Sequence, residues 1–380
     1  MQILELDAST IRQRVADWAR QRPGMGMLVL LPEAGTPLVA GLQAACREFG
    51  VPVCGGIFPA IIRDERFVTD AGWMLALPPD SLAVLVAPSP QDPAPAIDQL
   101  VEQLRVPLAA LPRSAHKPVL MLLCDGLLPN IASLLDLLYL QLANRVMYVG
   151  ANAGNERFET APCLFDGEHL IAGGVLAVLR HSTQVPALRH GYQTPKKPMS
   201  ATSTAGNRIA SIDWRPAFAV YGELIAQEYE VTLTADNFYQ YGVHFPLGML
   251  QANGDIVLRI PVGLTEDGAL LCVGEVPENA LLVVVRATES DACDGITQLA
   301  DDLGNAPGGT LGRDLLVFYC AGRRMHLGEG APAELSALAA QTEVSCLGGA
   351  LSIGEIGSLR PGAYPMFHNA SVAGMVWSPS

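Results

Sequence analysis

Cys320, His326 and His244 are the first residues whose types invite chemistry. Cys320 opens the run Cys320-Ala321-Gly322-Arg323-Arg324, and His326 follows six residues on. A thiol and an imidazole make a nucleophile only where the thiol ionises and the base lies beside it in space. Cys124-Asp125-Gly126 repeats the frame of Cys320-Ala321-Gly322, and Cys54 and Cys346 both precede glycine pairs. That repetition fits small buried residues better than catalysis, so no enzyme is expected. His244 sits in Tyr239-Gln240-Tyr241-Gly242-Val243-His244-Phe245, which gathers three aromatic rings in a chain with 6% aromatics. Two readings stand for it. It is a half-buried histidine near a strand end, or a neutral imidazole ligating haem iron with Tyr239, Tyr241 and Phe245 against the porphyrin. Without a C-x-x-C-H motif, such a haem b would be held non-covalently. Arg323, Glu355, His368 and Asn369 are polar groups in apolar, glycine-rich surroundings. They either satisfy turn backbone or bind a small metabolite such as an amino acid, with Arg323, Glu355 and Asn369 clasping its carboxylate and amine.

Composition narrows the classes. The 380 residues carry 24 Lys+Arg against 38 Asp+Glu, a net charge of -14. Phosphate neutralisation needs clustered cations, so neither nucleic acid nor an anionic membrane surface is an expected partner. Charged residues make up 16% of the chain and apolar ones 50%, which implies a large buried core. No apolar run reaches the ~18 residues of a membrane span. Eight scattered cysteines without C-x-x-C, and no basic-then-apolar leader, point to a reduced, cytoplasmic protein. No phosphate-cradling G-x-x-x-x-G-K motif and no paired-histidine metal motif occurs. Association of copies into a homo-oligomer is left open.

The elements that position these residues come in repeats. Strands at 82–86, 119–124 and 146–149, helices near 95–104 and 131–143, and a last strand at 173–179 recur in the C-terminal part at a near-constant offset of about 198 residues. A weaker, partial third copy occupies the front, with strand 27–31, helix 37–49, Val53-Cys54-Gly55-Gly56 and strand 73–77. The expected fold class is therefore α/β (mixed α+β): duplicated strand-helix-strand-helix-strand units whose mixed sheets are covered by helices. The expected domains are 1–190 and 191–380. Residues 184–206 read as a linker, and 257–262 with 270–273 as one antiparallel pair.

Three motifs together resemble the FIST family of sensory proteins over nearly the whole chain. They are Phe318-Tyr319-Cys320-Ala321-Gly322-Arg323, Gly348-Gly349 followed by Gly354-Glu355-Ile356, and Phe367-His368-Asn369-Ala370-Ser371. In the first half, Tyr148 to Asn155 and Cys163 to Val175 are similar to the matching family turn. Ala151 and Asn155 depart from its usual Gly and Asp, and Gly55-Gly56-Ile57-Phe58-Pro59 lacks the usual acidic residue. The resemblance implies a ligand sensor that signals through partners. Its stand-alone haem-binding subset implies nitric oxide as the signal, His244 as the proximal iron ligand and Arg323 or Arg324 near a propionate. It further implies output in trans to a histidine kinase or a cyclic-di-GMP pathway.

Overall fold

The computed structural model describes residues 1–110, 117–182, 184–193, 197–360 and 362–377. Three copies of one module account for most of them. In the first, strand Gly26–Pro32 lies parallel to Val53–Phe58 and antiparallel to Ala71–Leu77, with Gln2–Glu5 on the outer edge. Helices Ala8–Gln21 and Val39–Phe49 cover that sheet. The second module repeats the plan with Val119–Asp125, Met147–Ala153, Val175–Arg180 and edge strand Leu82–Val86. Its helices are Ala94–Ala110 and Ile131–Leu142. The third uses Asp314–Cys320, Cys346–Ser352, Val372–Val376 and edge strand Ala187–Arg189. Its helices are Glu289–Gly304 and Gly330–Thr342. The front copy, expected as partial, is thus complete.

Each module gives away a hairpin. Ala60–Arg63 with Arg66–Val68, from the first module, pairs with Cys346–Ser352 of the third. Leu164–Phe165 with Leu170–Ile171, from the second, pairs with Val53–Phe58 of the first. Glu355–Gly357 with Met366–His368, from the third, pairs with Met147–Ala153 of the second. Every sheet is completed by another module, and the modules close a three-way ring of exchanges. Their shared core draws Leu28, Leu123 and Phe318 from the three central strands, and Phe58 stacks on Phe318 across a module boundary. Burial of each such side chain contributes about 1.5–3 kcal/mol.

One glycine per module explains the glycine punctuation. A methyl group at Gly55 would lie 2.1 Å from the Val29 carbonyl oxygen, at Gly150 1.9 Å from that of Leu122, and at Gly349 1.7 Å from that of Val317. The parallel strands approach too closely there for any Cβ. These three contacts also set the true alignment. The third residue after each carbonyl is Pro32, Asp125 or Cys320, the last residue of its central strand. Cys320 therefore occupies the seat of Asp125, one residue away from the Cys124 match that sequence spacing suggests. Backbone bonds agree, since Asp125 N–H donates to the Gly174 carbonyl and Cys320 N–H to that of Ser371.

Between edge strand Ala187–Arg189 and helix Glu289–Gly304 the third module carries an insertion. Its strands run in the order Ile256–Arg259, Leu247–Leu250, Leu281–Val284, Met199–Ala205, Arg208–Ile212, Leu270–Cys272, Pro261–Leu264. The two end strands are neighbours in sequence across Ile260, so the sheet curls back around helix Ala217–Tyr229. The stretch 257–262 is hence split between two strands, and only Pro261–Leu264 pairs with Leu270–Cys272. The supposed linker 184–206 holds two strands, Ala187–Arg189 and Met199–Ala205. The polar residues of Met199–Ala205 fall at its half-exposed or exposed positions, and Met199 and Ala201 at its buried ones. No helix among the described residues is long and apolar enough to cross a membrane.

Candidate functional site

The seat of Cys320 opens onto a cleft of about 50 Å³. Cys320, Ala321 and Gly322 form its floor, where strand Asp314–Cys320 turns into helix Ala321–Leu327. Ile260, Pro261, Val262 and Val273 of the inserted sheet form one wall, and Glu156 and Phe158 of the second module the other. Tyr239 and Met325 stand at the rim, 53% and 45% exposed. Ligands of α/β sheets favour such carboxyl ends of parallel strands.

Strain gathers at this place. Phe158 holds a left-handed φ of +55° on the cleft wall, and Ala370, next to the lining residue Asn369, holds +53°. Neither has the freedom of glycine, and such backbone persists where the surroundings over-determine it. Ala370 N–H donates to Cys320 Sγ at 3.1 Å, and Ile260 N–H donates to Asn369 Oδ1 at 3.0 Å. Asn369 Nδ2 has no partner among the described residues, so its hydrogens are left for the cleft. Burial pushes the Cys320 thiol up to about 12. His326 turns away from it towards His244.

The other residues singled out in the sequence do not converge on this cleft. Arg323 is buried and fully engaged. Its Nε and Nη2 donate to Glu334 at 2.8 and 2.6 Å, and its remaining hydrogens reach the carbonyls of His190, Ala370 and Ala292. Glu334 also accepts from the Tyr319 hydroxyl. Glu355 is sealed inside, accepting from Ser352 Oγ at 2.5 Å and Ser371 Oγ at 2.6 Å, and burial pushes its carboxyl up to about 8. His368 lies opposite Glu355 in the hairpin, fully buried, with neither ring nitrogen in a hydrogen bond of good geometry. Burial holds it well below the usual imidazole range, with His190 and Arg259 adding to the effect. Of the four polar candidates, Asn369 alone lines the cleft.

The aromatic run is a short helix, Phe238–Gly242, followed by a turn. Phe245 is buried with its ring 4.9 Å from Tyr229 and the Arg286 guanidinium 5.5 Å above it. Tyr241 packs half-buried against the inserted core, while Tyr239 points outwards at the cleft rim. His244 does not line the cleft; its Nδ1 lies 2.8 Å from His326 Nδ1. His326 Nε2 is 3.1 Å from the Ala287 carbonyl and so carries the proton. His326 Nδ1 is then the acceptor, His244 donates Nδ1–H to it, and His244 Nε2 keeps a bare lone pair. Burial lowers both imidazoles, with Arg286 adding to the effect. Tyr239 lines the cleft, whereas Tyr241, Phe245, Arg323 and His244 do not, so these residues are not gathered around that cavity.

Several contributors had no sequence signal. Glu156 reads as one more dispersed surface acid, Phe158 as a loop aromatic, and the contact of His244 with His326 spans 82 residues. Asp125 was visible as the middle of Cys-Asp-Gly, but its match to Cys320 needed the strand register.

The FIST N domain model matches residues 28–215 and the FIST C domain model matches residues 217–358. No curated protein matches the chain. The matched spans meet beside the hairpin that enters helix Ala217–Tyr229, and the cleft takes Glu156 and Phe158 from the first span and most of its other walls from the second. With both domains present across the modules and insertion described above, the chain belongs to the FIST family, as a FIST-domain sensor protein of signal transduction.

Proposed function

We propose that the chain senses a small, largely apolar molecule carrying one hydrogen-bond acceptor, taken up in the cleft above Cys320-Ala321-Gly322. The observation that carries this is the composition of the cleft. Apolar walls come from three parts of the chain, and Asn369 supplies one free donor. At about 50 Å³ the resting cleft holds one or two waters. A ligand of several heavy atoms must displace Met325 and Tyr239, and with them the helix and turn that carry these side chains. Occupancy is thereby coupled to shape, and a partner such as a histidine kinase, or a component of a cyclic-di-GMP pathway, would read the difference in trans. Binding rather than catalysis is supported by burial that pushes the Cys320 thiol up to about 12 and so disfavours a thiolate nucleophile.

The test uses isobutyramide as probe and methyl NMR of Ala321, Val243 and Met325. Saturable shifts confined to these methyls, lost in Ala321→Leu, support the reading. An unresponsive wild-type cleft, or an equal response in Ala321→Leu, overturns it. A second reading, haem b on His244 with nitric oxide as the signal, draws on one observation: the bare Nε2 lone pair of His244 is the state an axial imidazole needs. Hemin titration decides it, because a saturable Soret band must appear and must vanish in His244→Ala.

A further inference from the structure

The contact between His244 and His326 is unusual for a pair of neutral side chains. The rings come from different elements, one from the turn after Phe238–Gly242 and the other from helix Ala321–Leu327. Both are part-buried, and their Nδ1 atoms face each other at 2.8 Å. We propose that His244 and His326 form a two-histidine site for a divalent transition-metal ion such as Zn2+, with water completing its coordination.

Three features carry the proposal. First, His326 Nδ1 already presents a lone pair in a fixed direction, because its Nε2–H is tied to the Ala287 carbonyl at 3.1 Å. A ligating histidine nearly always has its other nitrogen tied in this way. Second, the geometry is near that of a bound ion. Metal–nitrogen bonds of about 2.0–2.1 Å at a tetrahedral centre separate two nitrogens by about 3.3 Å, so the rings must part by about half an ångström and each tilt by roughly 35° to aim its lone pair at the ion. Third, the step balances without an external base. The His244 proton moves from Nδ1 to its free Nε2, the Nδ1 lone pair turns to the metal, and no net proton leaves the protein. Imidazole donors of this kind suit Zn2+, Cu2+ and Ni2+.

The setting also limits the site. No group of three or more His, Cys, Asp or Glu side chains that could hold a metal occurs among the described residues, so protein supplies two ligands only. Arg286 acts on both rings and opposes a cation. Binding is therefore weak and reversible by chelators. The site is separate from the cleft, although Met325 of the cleft rim neighbours His326 in sequence, so an ion would pin helix Ala321–Leu327 to the turn beyond Tyr239. It stands or falls independently of what the cleft binds.

The experiment is calorimetric titration of the metal-free full chain with Zn2+. A Cys293→Ser background removes the one thiol classed as exposed among the described residues. One saturable site is expected, lost in His244→Gln and in His326→Gln, and tightened about tenfold in Arg286→Gln, where a nearby cation is gone. Against failure of a variant to fold, Co2+ is added to the wild type and the imidazole protons are followed by NMR. Paramagnetic shifts must appear at His244 and His326 together. Absence of a saturable heat, binding that survives either histidine substitution, looser binding in Arg286→Gln, or Co2+ shifts that miss these two rings would each overturn the proposal.

Discussion

Asp125 and Cys320 end the central strands of two modules and hold the same seat, yet they close it differently. Asp125 Oδ2 accepts from Gly173 N–H at 2.6 Å and its Oδ1 from Leu127 N–H at 2.9 Å. The carboxylate thus gathers two amides and shuts the strand end. Cys320 Sγ accepts from Ala370 N–H at 3.1 Å, where Ala370 is the counterpart of Gly173. Sulfur is a weak acceptor. Three residues beyond the seat the modules diverge again. Leu128 sinks into the core of the second, whereas Arg323 of the third is tied to Glu334 and three carbonyls. The difference teaches how one fold serves two ends. The second module seals its strand end with backbone-directed bonds. The third holds its end open and moves the strong bonds beneath the floor, which leaves a cleft.

The sharpest way to break this comparison is to give the third module the residue of the second. Arg323→Leu strands the Glu334 carboxylate in the interior and should cost about 4 kcal/mol, read as a lower urea midpoint. Adding Glu334→Gln, which keeps an acceptor for Tyr319 without the charge, should return about half of that. If Arg323→Leu costs less than 1 kcal/mol, the floor does not rest on this pair.

Next comes Glu355, which lies beside the Cys320 seat and bonds to Ser352, the strand partner of Cys320. Its folded pKa of about 8 stands above the ordinary 4.5. The native state keeps a proton that the unfolded chain releases, so stability falls as pH rises. The contribution is whole below about 4.5 and lost above about 8, a change on the order of 5 kcal/mol. Glu355→Gln should flatten the profile of urea midpoints between pH 5 and 8. An equal slope in the variant would place the titration elsewhere.

Asp125→Ala should cost about 2 kcal/mol, since two part-buried amides lose a charged acceptor. Cys320→Ala should cost about 1 kcal/mol, chiefly for lost packing. Equal losses would mean that the seats are closed alike. This asymmetry was half legible in the sequence. Strand runs such as Val119–Cys124 and Leu315–Cys320, and the glycine pairs behind them, could be read because buried strands are short and apolar and a close strand approach admits glycine alone. The modules' exchange of hairpins was hidden, because pairing of Ala60–Arg63 with Cys346–Ser352 leaves no local pattern. For the same reason the seat of Cys320 was misplaced by one residue, since register is set by hydrogen bonds that spacing does not encode. The site was less legible still. Arg323 and Glu355 look like ligand groups in a glycine-rich context, and only their buried partners show them to be part of the frame.

The smallest effect tests the backbone of the two seats. Gly173 and Ala370 both take left-handed φ, +65° and +53°. Alanine is strained there by about 1 kcal/mol relative to glycine. Gly173→Ala should therefore lose about that amount, and a methyl group at that position meets no atom within 4 Å, so sterics add nothing. Ala370→Gly should recover a similar amount of backbone strain, offset by the lost burial of one methyl group and by a freer unfolded chain. The expected pair is a clear loss in the second module against a change near zero in the third, both read from urea midpoints. A clear loss in both would mean that the Ala370 methyl group is needed for packing at the cleft floor. A clear gain from Ala370→Gly, accompanied by weaker isobutyramide shifts, would mean that the strain itself holds the cleft in shape.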